Sequence, residues 1–299
     1  MPRLLLLAFI WGWSFLFIKV AVAGMTPFTV AAVRVALGAL VLVAIVRARR
    51  LEIPRGWAWW RHFVVVALAG SAVPFSLLAW GEQHVSSALT AVLNASTPLF
   101  AAVMAGLLLG DRLRPVQLGG LVLGFVGVAV AAGLGGSDLA TSSGWSEVAS
   151  VGAAACYGLA FAYTRRHLSS LPPIVGATGQ LVAGAVLLLP AAVYTSVRDG
   201  LELTPRRALA VGLLGMLGTG IAYILSYRLI ADVGPTRAAV VTYLIPVVAV
   251  TVGVLFLHEP FSFRLVLGGV LTVGGIVLLG YGRPARPVAP ADPLAAPHA

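Results

Sequence analysis

Residues 85–127 read VSSALTAVLNASTPLFAAVMAGLLLGDRLRPVQLGGLVLGFVG, and residues 233–275 read VGPTRAAVVTYLIPVVAVTVGVLFLHEPFSFRLVLGGVLTVGG. Laid over one another without a gap, at an offset of 148, they match Val85 to Val233, Ala91 to Ala239, Pro98 to Pro246 and Leu107 to Leu255. Asp111 meets Glu259, Gly120 meets Gly268 and Gly127 meets Gly275. Two apolar helices share leucines by chance. They do not readily share a mid-helix proline, an acidic residue at the exit and a glycine spacing. The chain is therefore a duplicated unit of about half its length, and a repeat has to be recognised before a fold is argued.

Working outward, the same relation reaches the N-terminal part of each half. Trp11-Gly12 through Lys19 echoes Tyr157-Gly158 through Arg165 at an offset of 146, with Phe15 on Phe161. That internal match argues for a retained first span rather than a cleaved leader, although Arg3, an apolar run and the small residues Ala21 and Ala23 superficially fit a signal peptide.

Composition sets the solvent. Of the 299 residues, 60% are apolar and only 10% charged, and mean hydropathy is +0.99. A soluble domain carries about 25% charged residues. So sparse a charge cannot cover a water-facing surface, and a polytopic membrane protein follows. Helices satisfy their own backbone groups in lipid, and the alternation of outer-membrane strands is absent, so the spans are expected to be helical. The net charge of +10 does not indicate nucleic acid, because the arginines cluster in short connections between apolar runs. The single Cys156 excludes an internal disulfide and a cysteine metal cluster.

Ten apolar runs fit the roughly 20 residues a span needs, at 4–23, 27–46, 61–80, 86–109, 115–134, 146–165, 172–194, 207–230, 236–257 and 263–281. The expected fold is all-α, with ten transmembrane helices in two five-helix repeats, 1–134 and 146–282, followed by a disordered cytoplasmic tail at 283–299. Five is odd, so the second copy enters from the opposite face and the repeats are inverted in topology. With both termini inside, fourteen arginines fall on the cytoplasmic side, against five basic residues outside and Arg34 within a span. The first half decides this, and the connection after the seventh run, with Arg198, Arg206 and Arg207, runs against it.

Catalysis has little to stand on. The only lysine, Lys19, is not preceded by a phosphate-loop glycine pattern, and HExxH and GxSxG are absent. The sequence calls for no enzyme activity, no cofactor and no metal. The carboxylates, Glu82 and Asp111 among them, fall at span ends or in connections, which leaves none at mid-membrane to carry a proton; Glu82 and His84 are the least unsuitable carriers.

What remains are polar and aromatic residues inside spans. Arg34 sits about 10 Å along the second span, and its repeat mate is Gln180. Either its side chain snorkels to the headgroups, or it turns into an aqueous cavity. Thr90, Asn94, Thr97 and Ala101 share one face of the fourth span, and Thr242 lies on the matching face of the ninth. Interhelical hydrogen bonding and a substrate site both explain such a face. Pro98 and Pro246 each free a carbonyl one turn back, at Asn94 and Thr242, and are expected to kink their helices. Trp11, Phe75, Tyr157 and Tyr223 are candidate cavity walls, whereas Trp57, Trp59, Trp60 and Trp80 read as interfacial anchors. Gly120, Gly124 and Gly127, with Gly268 and Gly275, form stripes that let the fifth and tenth spans pack closely as a scaffold.

SALTAVLNASTPLFAAVMAGLLLGDRL and AAVVTYLIPVVAVTVGVLFLHEP together resemble the paired signature of the drug/metabolite transporter superfamily, in particular its EamA-type members. The opening WGWSF and Arg34 resemble that family's first and second helices, and the likeness extends from residue 4 to about 281. The resemblance implies a ten-helix transporter with a central cavity lined by helices one, three, four, six, eight and nine. It implies an exporter of an amino-acid-like or drug-like metabolite, working by alternating access in the inner membrane. His258 departs from the pattern, which more often has glycine before the acidic residue. The expected partners are a small-molecule substrate and the lipid bilayer, without nucleic acid; oligomeric state is left open, a monomer included. A lipid scramblase or headgroup enzyme, and a purely structural membrane subunit, are the competing readings.

Overall fold

The computed structural model describes residues 2–133, 142–233, 241–260 and 262–280. The expected disordered tail at 283–299 lies outside the described residues. Within them the chain is helical and has no strand. We label the helices in order: α1 Pro2–Val22; α2 Pro27–Ala48; α3, formed by Trp57–Ala67 and Val73–Gly81; α4, formed by Ser87–Asn94 and Thr97–Leu109; and α5 Pro115–Ala131. Then follow α6 Ser142–His167; α7 Pro173–Asp199; α8, formed by Pro205–Gly215 and Ala222–Val233; α9 Val241–Leu257; and α10 Phe263–Gly280.

Local chemistry sets the boundaries. Thr26, Ser86 and Thr204 each accept a hydrogen bond from the backbone N–H three residues on, at Thr29, Leu89 and Arg207, and so cap α2, α4 and α8. Pro27 and Pro205 follow two of these caps, where the missing N–H costs nothing. Gly110 ends α4 in the left-handed region at φ 70°. His258, 148 residues later, ends α9 in the same region at φ 54°, a conformation that glycine adopts without strain and histidine does not.

Among the described residues, seven helices are long and apolar enough to cross a membrane: α1, α2, α3, α4, α7, α10 and the Pro205–Ser226 part of α8. The other three runs differ for identifiable reasons. Helices α5 and α9 are apolar but 17 residues long as described. Helix α6 has 26 residues, but Ser143, Ser146, Glu147 and Ser150 occupy its first turns and Arg165-Arg166 its last. Around the bundle, Leu107, Val122, Val186, Leu255 and Phe161 all turn outward, a surface that suits hydrocarbon rather than water.

Helix α5 packs along α10, α2 along α7, α1 along α9, and α6 along both α4 and the outer half of α3. Helix α1 also meets α8. The pairings recur with the sequence repeat, since α1 on α9 has its counterpart in α6 on α4. A Cβ added to Gly120 would lie 2.7 Å from the Gly275 carbonyl oxygen, and one on Gly127 would lie 2.7 Å from that of Gly268. The two backbones therefore touch, and Gln117 ties them further by donating to the Leu279 carbonyl at 3.1 Å.

Candidate substrate site

The site begins with two distortions that have no signature in hydropathy. Helix α3 carries a π-helical turn at Leu68–Ala72, and α8 carries one at Met216–Ile221, 148 residues on. A π turn widens the helix by one residue and disturbs the regular ladder, a feature found repeatedly at functional sites. Each turn presents a fully buried hydroxyl, Ser71 in α3 and its repeat mate Thr219 in α8. Ser71 donates to the Ala67 carbonyl at 3.0 Å, and Thr219 to that of Leu214 at 3.3 Å. Each turn also lodges against a glycine of the facing helix. A Cβ at Gly38 of α2 would lie 2.6 Å from the Thr219 methyl, and one at Gly184 of α7 would lie 3.1 Å from the Ser71 hydroxyl.

One turn before Gly38 is Arg34. Its side chain does not run out to the headgroups: the residue is 7% exposed. Nε donates to Thr219 Oγ1 at 2.9 Å, and the guanidinium lies over the Phe75 ring, 3.8 Å from its centroid. The bond to Thr219 uses Nε alone, and the two terminal nitrogens find no acceptor among the described residues. The Phe75 ring meets Tyr157 edge-on at 6.2 Å, and the hydroxyls of Tyr157 and Tyr223 both stand within electrostatic reach of Arg34. Tyr223 shares a hydrogen bond with Gln180, whose amide nitrogen fills the space over Gly70 in the α3 π turn.

Five of the eight residues named from sequence thus come together: Arg34, Phe75, Tyr157, Gln180 and Tyr223. Trp11 joins from the side, donating Nε1 to the Gly218 carbonyl at 3.2 Å, next to Thr219. Among the described residues, the Asn94 side chain makes no hydrogen bond to this group. Asn94 sits at the break in α4, and its side-chain oxygen is buried without a partner among the described residues. The carbonyl that Pro98 frees at Asn94 is not left open, because the Thr97 hydroxyl donates to it at 2.8 Å. Pro246 lies inside α9, which runs on through it, so only the Pro98 position carries an interruption.

Sequence reading missed Thr219 and Ser71. The signal was present as GSA at 70–72 against GTG at 218–220, a hydroxyl between small residues at the 148 offset. A cavity of ≈ 950 Å³ opens elsewhere between α2, α3 and α7 beside Met25, Phe28, Trp80, Leu188 and Arg198. None of the eight sequence-named residues lines it.

Against known proteins, residues 3–133 and 144–281 match the EamA-like transporter family. The chain belongs to that family. It is 28% identical to the uncharacterized transporter YvbV of Bacillus subtilis (strain 168), over 92% of this chain and 90% of that one. It is 29% identical to the inner membrane transporter YedA of Escherichia coli (strain K12), over 93% and 90%. A probable terminal-alkyne amino-acid exporter of Streptantibioticus cattleyicolor is 29% identical over 73% of each chain. A solved crystal structure at 23% identity superposes with a TM-score of 0.65 over 93% of this chain and 96% of that one, and so shares the fold. This EamA-like chain is accordingly a multi-pass membrane protein of a transporter family, and its polar interior is to be read as one.

Proposed function

We propose that this EamA-like protein exports a small organic metabolite bearing a carboxylate, amino-acid-like in size, by alternating access. The observation that carries the reading is Arg34. A guanidinium held inside the bundle by one nitrogen, with its other donors unclaimed, is built to receive an anionic group. Tyr157, Tyr223 and Gln180 supply hydroxyl and amide groups for the rest of the ligand, and Phe75 holds the arginine flat by a cation–π contact. The relative named as an amino-acid exporter supports the same class of cargo. The helix-packing symmetry and the twin π turns support ten spans in two inverted repeats of five, 1–134 and 146–282. The arginine distribution supports a plasma-membrane protein with both termini cytoplasmic.

Purified protein screened by thermal shift against a panel of amino acids and related carboxylates tests this. A stabilising compound is expected, and its shift should vanish in Arg34→Ala while that variant still folds. An undiminished shift in Arg34→Ala would remove the arginine from the site.

A further inference from the structure

Glu82, the residue after α3 ends, is fully buried, and neither oxygen of its carboxyl has a hydrogen-bond partner among the described residues. It lies seven residues beyond Phe75, two turns on the same face, about 10 Å toward the end of the helix. The surrounding charges are few. From α1, Lys19 donates its ammonium to the backbone carbonyls of Glu82 and Val85, the latter at 2.7 Å, and so clamps the α3–α4 connection. From α2, Arg34 acts on Glu82 at longer range. Beyond α9, the Glu259 carboxylate accepts from Ser87 N at 2.7 Å, Ser87 Oγ at 3.0 Å and Ala88 N at 3.1 Å. Helix α6 brings Ser146 and Ser150 to Gly81, with Glu147 on the same turn, and His84 on the connection itself is exposed.

A charged carboxylate with no donor in a dry site is too costly to persist, and a second acidic side chain nearby adds to the cost. Burial pushes the Glu82 carboxyl well above the ordinary carboxylate range, and Glu259 pushes it the same way, against the pull of Lys19 and Arg34.

We propose that Glu82 is a proton-binding site of this transporter, and that its proton keeps the Lys19 clamp closed. The proposal rests on the transporter reading above and adds the ion that reading lacks. With the proton bound, Lys19 has only carbonyls to hold. When the proton leaves to water, the new carboxylate competes for the same ammonium, and the Glu82 and Val85 carbonyls are released. The connection between α3 and α4 then loosens, two turns along α3 from the Phe75 ring that holds Arg34.

Infrared spectroscopy of the protein reconstituted in lipid reads the proton directly. The wild type should show a protonated-carboxyl band at neutral pH that disappears on alkalinisation. Glu82→Gln should lack it, and Glu259→Gln should keep it. No such band in the wild type, or one unchanged in Glu82→Gln, overturns the proposal. The clamp is read by a cysteine placed at Gln180 in a Cys156→Ser background, labelled from water with a methanethiosulfonate. Its labelling rate should rise with pH severalfold more than in the Glu82→Gln version of the same protein, and equal rises would refute the clamp. Counterflow of radiolabelled amino acids separates the two levels of argument. Glu82→Gln should retain counterflow, since exchange moves no net proton. Absence of counterflow in the wild type would sink the transport reading, while the infrared band would still decide whether Glu82 holds a proton.

Discussion

At the residue scale, Arg34 shows what burial does to a long cation. Snorkelling and an inward cavity were equally compatible with its depth in the sequence, because four methylene-scale rotations reach either way. The facing hydroxyl of Thr219 and the Phe75 ring hold it inward. Replacing Arg34 by alanine is expected to cost about 1.5–3 kcal/mol of ligand binding, the range for a hydrogen bond to a charged group, or roughly tenfold to a hundredfold in affinity. Titration of whichever compound stabilises the wild type checks this. Gly38→Ala should weaken binding without touching the ligand, since its methyl would displace Thr219, 2.6 Å away, and with it the anchor of Arg34. His258 gives the opposite sign. It occupies the left-handed region that Gly110 fills at the matching position, so His258→Gly should raise stability by about 1 kcal/mol in a thermal or denaturant melt.

At the element scale, legibility follows the origin of each feature. The glycine stripes of α5 and α10 were readable because small residues at four- and seven-residue steps have one packing consequence, and the backbones do touch there. Gly127→Ala would push a methyl to 2.7 Å from the Gly268 carbonyl oxygen, an overpacking expected to destabilise by about 1–3 kcal/mol, measurable in a thermal melt in detergent. The two π turns were not readable. Nothing in LAGSA or MLGTG excludes a regular helix; the widened turn exists because Ser71 and Thr219 are received by Gly184 and Gly38 on other helices. Pro98 opens a two-residue break in α4, yet α9 runs through Pro246. A proline removes one hydrogen bond, and neighbouring hydroxyls such as that of Thr97 decide whether the helix parts.

At the scale of the whole molecule, the chain closes itself differently at its two ends. At one end Lys19 and Glu259 hold the start of α4 through partly buried contacts. At the other, the repeat mates of those residues meet directly: Arg165 pairs with Asp111 at 2.6 Å and 3.2 Å, in a bridge whose side chains are 49% and 35% exposed. An exposed bridge contributes about 0–1 kcal/mol, so this end should open more readily. Asp111→Asn is expected to increase labelling of a chamber cysteine from that face more than Glu259→Gln does from the other. Both comparisons assume that the halves are inverted, and this is tested most directly by reporters fused after residues 50 and 198, at the ends of α2 and α7, which correspond in the two repeats. Inversion predicts that the two reporters lie on opposite faces of the membrane. If both lie on the same face, the halves are parallel and cannot enclose a chamber that opens alternately to each side.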